Sequence, residues 1–207
     1  MKKIALIAFL LAVCVAAGRA QESRQDISIS GTGLSEPFIG SSTDVYVHSS
    51  PAYGALLSYR FMLTPSSAVE ANFGSTYQNK LTYLAGGNQV PYQVLTRTME
   101  MSAAYVRTFT FRKWNPFIEA GPAGFIFVPI RNSGTKLFDV KQQTEIGGIY
   151  GAGVAYEISP SFDIRAEYRG MVTKVPTFGM GGSSTPNFTT NKWWNMYNPT
   201  IGVAYHF

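Results

Sequence analysis

Residues 162–171 alternate without a break: Phe162, Ile164, Ala166, Tyr168 and Gly170 share one parity, and Asp163, Arg165, Glu167 and Arg169 the other. Successive side chains of a β-strand point to opposite faces. The segment therefore specifies a strand with one apolar and one charged face, whereas a helix would scatter both sets around its axis. The same period runs through 52–63, where Tyr53, Ala55, Leu57, Tyr59, Phe61 and Leu63 oppose Gly54, Ser58 and Arg60. In 69–78, Val69, Ala71, Phe73 and Tyr77 oppose Glu70, Asn72, Thr76 and Gln78. In 198–207, Ile201, Val203, Tyr205 and Phe207 oppose Thr200, Gly202, Ala204 and His206. Less regular strands are predicted over 27–33, 92–111, 116–128 and 143–158, which brings the total to eight. In the second of these, Glu100, Ser102 and Arg107 differ in parity, which points to a bulge at Ala103-Ala104.

Connections alternate in length. Residues 64–67, 112–115 and 159–161 are tight turns built from Pro, Asn and Ser, while 36–51, 79–91, 129–142 and 173–192 are long loops. Short turns at one end and long loops at the other are the layout of a transmembrane β-barrel. Composition agrees. Charged residues are 14 % of the chain, against about 25 % in ordinary soluble proteins. After the N-terminal segment no apolar run approaches the ~18 residues of a spanning helix, which leaves the closed barrel as the membrane architecture. A water-soluble barrel would carry lysines on its strands. Here Lys80, Lys113, Lys136, Lys141, Lys174 and Lys192 all fall in predicted loops or turns. Aromatic residues gather at strand ends, and Tyr53, Phe61, Phe162, Trp193, Trp194 and Tyr197 are assigned to the membrane interfaces.

The chain opens with Lys2 and Lys3, an uncharged apolar run over 4–17, and Gly18-Arg19-Ala20. This is the three-part pattern of a secretory signal peptide, with cleavage expected after Ala20 and a barrel domain over 21–207. Lys2, Lys3 and Arg19 account for most of the formal charge of +5, and the remainder carries +2. The basic pI is thus weak support for nucleic-acid binding, and no nucleic-acid partner is expected. The one cysteine, Cys14, lies in the apolar run, so the mature part has no thiol to mispair in an oxidising compartment. Leu11-Ala12-Val13-Cys14 loosely matches a lipoprotein site, but Val13 is bulky for it and ordinary cleavage is preferred.

Two stretches carry a family resemblance. Tyr156-Glu157-Ile158-Ser159-Pro160-Ser161-Phe162-Asp163-Ile164-Arg165-Ala166-Glu167-Tyr168-Arg169 resembles the last tight turn and seventh strand of the OmpA-like outer-membrane barrels. The terminal Ile201-Gly202-Val203-Ala204-Tyr205-His206-Phe207 resembles the strand by which the barrel-assembly machinery recognises its clients, with Ile201, Val203, Tyr205 and Phe207 as the signal. The resemblance implies an all-β, eight-stranded antiparallel up-and-down barrel in the cell outer membrane, with outer-membrane lipids and the assembly machinery as partners. The chain stops at Phe207, so the peptidoglycan-binding domain of larger members is not carried over.

Catalytic chemistry is sparse. His48 and His206 are the only histidines, and no metal ligands, cofactor motif or catalytic set is assigned. Some barrels of this kind are lipid A-modifying enzymes with a Ser-His pair. Ser50 beside His48 is the one candidate for that chemistry, and its loop placement argues against it. The glycine-rich 147–153 matches no phosphate loop and is read as strand glycine allowing close packing. Asn187-Phe188-Thr189 fits a glycosylation sequon, which has little meaning in a bacterial chain. The informative set is the inward face: Arg60, Glu70, Glu119, Glu157, Asp163, Arg165, Glu167 and Arg169, joined by Glu100 and Glu145. Eight strands leave room for little besides side chains, so a charge network filling the lumen is expected. A narrow pathway for ions or small solutes is the other reading. The two functional classes are a non-enzymatic barrel acting through its loops on an unnamed ligand, and a small porin-like transport barrel.

Overall fold

The computed structural model describes residues 24–40, 45–85, 91–133, 140–179 and 190–207. The signal-peptide segment, Lys136 and the sequon lie outside the described residues. Every regular element is a strand: β1 (Gln25–Leu34), β2 (Ile39–Gly40), β3 (Val45–Ser49), β4 (Ala52–Thr64), β5 (Ser67–Ala85), β6 (Tyr92–Thr108), β7 (Trp114–Ser133), β8 (Gln143–Ser159), β9 (Phe162–Lys174) and β10 (Trp193–His206). All pairings are antiparallel. Along the chain β4 pairs with β5, β5 with β6 and so on to β10, and β10 and β4 both pair with β1. These eight strands close into a barrel, as the sequence analysis anticipated. Closure lets every spanning strand bond its backbone to a neighbour, which hydrocarbon demands.

The strands form where the residues alternate. β1 buries Asp26, Ser28, Ser30, Thr32 and Leu34 while Ile27 and Ile29 face out. β4 buries Leu56, Ser58 and Arg60 and exposes Tyr53, Leu57, Tyr59 and Phe61. Three two-residue turns, at Pro65-Ser66, Arg112-Lys113 and Pro160-Ser161, close the short end. Arg112 takes a left-handed φ of 57° there. Gly170 faces outward beneath Tyr150, its cross-strand partner; an added Cβ would lie 2.3 Å from the Tyr150 Cζ.

The structure corrects the sequence reading in five places. The 36–51 loop carries β2 and β3, and β3 pairs with the upper part of β5 where β4 has ended. His48 is therefore an outward strand residue, and the Ser50 Oγ accepts the Lys80 backbone N–H. Strands also run further than predicted, so Lys80 and Lys174 lie within β5 and β9. Ala103-Ala104 holds no bulge: β6 keeps one register against β5 from Val106 to Thr98, and Arg107 simply faces out at the rim. The register shifts fall instead between Thr76 and Asn79 on β5 and beside Leu95 and Thr96 on β6. Trp194 is not an interface residue. Its neighbour Trp193 takes the outward position, so strand alternation turns Trp194 into the lumen, where it is fully buried.

Candidate functional site

The lumen is the site with chemistry in it. At the short-turn end a vestibule of about 180 Å³ is bordered by Arg60, Arg112, Arg165, Glu157, Asp163 and His206. Above it lies a layer of ion pairs. Arg60 sits directly across the β4–β5 ladder from Glu70, and its Nε and Nη2 reach the Glu70 Oε2 at 2.7 and 2.6 Å. The Arg60 guanidinium also stacks over the Phe117 ring at 4.7 Å. Arg165 donates to Asp26 at 2.7 Å, and His206 Nε2 meets Asp163 at 2.8 Å.

Arg169 is the centre of the layer. Its two terminal nitrogens bind both Glu100 oxygens, at 2.6 and 3.1 Å, and its Nε donates to Glu119 at 3.1 Å. The Glu167 carboxylate stands 3.6 Å away. The arginine is fully buried. A planar guanidinium with donors on both edges can satisfy this many acceptors at once, which a lysine could not. Ser102 donates to Glu100 and helps hold it in place.

Higher still the lumen changes character. A void of about 10 Å³ between Leu56, Gly74, Glu100, Met171 and Asn198 has room for about one water. Beyond it, Val47, Leu81, Tyr83, Val94, Phe125, Phe127, Trp194 and Met196 form an apolar tier. Sequence reasoning expected a polar lumen throughout. It missed this tier because most of its members lie beyond the predicted strand ends or in irregular strands.

Phe178 caps this tier among the described residues. It has a left-handed φ of 51°, is fully buried, and meets Tyr83 and Phe127 edge-on at centroid distances of 6.3 and 6.5 Å. Gln143 Oε1 accepts the backbone N–H groups of Thr177 and Phe178, both at 2.8 Å, and Tyr83 donates to the Pro176 carbonyl at 2.7 Å. Glu36 is buried with Ser49 and Asn79. Asn79 donates to its Oε1 at 2.7 Å, and burial pushes the carboxyl up to about 7 against the lowering effect of Asn79 and the nearby Ser49 hydroxyl.

All ten residues assigned to the inward charge network face the interior. The structure joins Arg60 with Glu70, and Arg169 with Glu100, Glu119 and Glu167. Arg165 and Asp163 pair with Asp26 and His206. Among the described residues Glu145 and Glu157 form no ion pair; Glu145 accepts from Gln143 near the loop end and Glu157 borders the vestibule. Asp26 was missed because the first predicted strand began one residue after it. Phe178 sits in a Gly, Ser and Thr-rich loop with no periodicity to mark it. Ile201, Val203 and Tyr205 point outward, as do Tyr53, Phe61, Phe162, Trp193 and Tyr197. Among the described residues no three potential metal ligands converge.

The family model described as outer membrane protein beta-barrel domain matches residues 5–207. The chain belongs to that family. Solved outer-membrane barrels share its fold. OprG of Pseudomonas aeruginosa has a TM-score of 0.62 at 10 % identity, covering 90 % of this chain and 97 % of its own. Neisserial surface protein A has a TM-score of 0.56 at 13 % identity, covering 89 % and 98 %. Ail of Yersinia pestis, solved with the heparin analogue sucrose octasulfate, has 0.54 at 16 % identity, covering 90 % and 100 %. No curated protein matches the sequence. The barrel is an outer-membrane protein, and such barrels place short turns in the periplasm and long loops outside.

Proposed function

We propose that this barrel is a non-enzymatic outer-membrane protein that acts through its extracellular face, with a lumen closed to free passage. One observation carries this reading: the interior is filled in series by the Arg169-centred ion pairs and by the apolar tier under Phe178, with about 10 Å³ of space between them. A solute crossing it would have to part charge-assisted hydrogen bonds away from bulk water, which is costly. Planar-bilayer recording on refolded protein should show no steady single-channel current. Regular, solute-selective conductance from the wild type would overturn the reading.

The second reading, a transport barrel, has its own support. The wall above Ser35 has a seam. Among the described residues no ladder joins β2 to β10, and the gap is bridged by Trp194 Nε1 to the Pro37 carbonyl and by Lys192 Nζ to the Gly40 carbonyl. An apolar tier beside such a seam suits a small apolar solute better than an ion. Under this reading Phe178→Gly or Gln143→Ala should increase uptake of an apolar fluorophore by the folded barrel. No uptake by either variant would leave the closed barrel standing.

A further inference from the structure

The charges of this barrel are sorted by sign. Every acidic residue among the described ones faces inward, from Asp26 at one end to Glu36 and Glu145 at the other. The charges on outward strand positions among the described side chains are all cationic: Lys80, Arg97, Arg107 and Lys174. Ordinary protein surfaces intersperse both signs. The fold does not require this sorting, since an outward carboxylate at a wet rim would cost little. Among the described residues, the strand wall therefore meets the polar layer of the membrane with positive charge only.

At one place on that wall the backbone aims the cations. The β5–β6 register shifts between Thr76 and Asn79, so that Tyr77 and Gln78 oppose the single residue Arg97. The extra residue reverses the parity of β5. Tyr77 and Lys80, three apart, therefore both point outward, where an unbroken strand would send one of them into the lumen. Arg97 lies over the Tyr77 ring at 5.0 Å. Lys80 pairs with Leu95, two residues along β6 from Arg97 on the same face, a diagonal separation of about 7 Å. A second shift on the far side of β6 puts the Arg131 backbone opposite Leu95 at the same height. Directly below, toward the middle of the wall, the outward residues are Ser75 and Met99 and then Phe73 and Met101, three of the four apolar.

We propose that Lys80 and Arg97 hold a phosphate group of an outer-leaflet lipid, whose acyl chains run down over Phe73, Met99 and Met101. The apolar floor beneath the cations selects a lipid phosphate over a free anion. Tyr77 orients the guanidinium through the ring face and leaves its N–H edge for the ligand. The site rests on the long-loop end facing outward and is independent of whether the lumen conducts.

The test uses the full-chain barrel in nanodiscs of phosphatidylcholine containing a minor fraction of phosphatidic acid. Lipids retained on ejection are identified by native mass spectrometry. Wild type should retain phosphatidic acid preferentially, and Lys80→Gln with Arg97→Gln should lower that preference on the order of tenfold. Arg24→Gln with Lys113→Gln, at the short-turn end, should leave it unchanged. Lys80→Arg with Arg97→Lys keeps both charges and should restore most of it, which separates charge loss from misfolding. Excess inorganic phosphate should not displace the lipid. Equal retention by wild type and the double glutamine variant would overturn the site, and displacement by inorganic phosphate would overturn the lipid assignment. A barrel that enters no bilayer would instead count against the membrane placement.

Discussion

Three carboxylates share the Arg169 guanidinium, so its removal strands more charge than any other single change in the lumen. Arg169→Ala should destabilise the folded barrel by about 3–5 kcal/mol, the usual cost of leaving a buried charge without its partner. Arg165→Ala should cost less, because Arg165 borders the open vestibule and water can replace it beside Asp26. Urea or guanidinium unfolding in lipid vesicles measures both, and equal losses would contradict a dry central layer. Glu36 makes a pH prediction. Its folded-state value of about 7 lies above the ordinary 4.5, so the fold binds a proton that the unfolded chain has released. Stability from this group is greatest below pH 4.5, falls as pH rises, and levels off above about 7. The swing is on the order of 3 kcal/mol. Glu36→Gln should remove this slope and stabilise the barrel at pH 8 (read as the unfolding midpoint against pH), since the amide can donate where the carboxylate stands beside Ser49.

A strand in this barrel has two solvents, and parity assigns each residue to one of them. Leu57 and Ile164 are 45 % and 40 % exposed on the outer wall, on β4 and β9. Arginine there should cost about 2–4 kcal/mol in lipid if the site lies near the midplane. Arg112→Gln or Lys113→Gln in the turn should be neutral in the same unfolding assay. Comparable losses at both kinds of position would argue that the wall faces water. The clean strands were legible in the sequence because Phe162 to Arg169 and Tyr53 to Phe61 alternate without interruption. Strand ends were not. Nothing local separates Lys80 in a bulged strand from Lys80 in a loop, because the bulge forms from pairing with Arg97 on another element. For the same reason the two adjacent tryptophans could not be told apart until β10 was seen to begin at Trp193.

Across the whole molecule, assembly precedes every other property, and the last strand carries the feature that resembles an assembly signal. Ile201, Val203 and Tyr205 face out on β10, while Phe207 stacks on Tyr205 and donates its backbone N–H to the Gln25 carbonyl, tying the end of the chain to its first strand. Deleting Phe207 should lower the amount of folded protein in the outer membrane several-fold and leave protease-sensitive periplasmic material. Fractionation and heat-modifiable electrophoretic mobility would show this. Wild-type levels would count against the terminal strand as a signal.

The sequence alone determined the architecture. Period-two alternation sets the two faces of each strand, tight turns set the antiparallel order, and low charge without a spanning helix leaves closure as the way to satisfy the backbone. It also determined the inward facing of the ten charges on the predicted strands, because parity needs no partner, but not that of Asp26 and Glu36 outside them. Tertiary structure decided what those charges do. Arg169 meets Glu100 and Glu119 from β6 and β7, so its pairing depends on the curvature that brings distant strands across a narrow interior. The apolar upper tier, the capping Phe178 and the outward turn of Lys80 are likewise products of contacts between elements far apart in the chain. Alternation encodes the side of the wall for each residue, and only closure of the wall decides which residues meet.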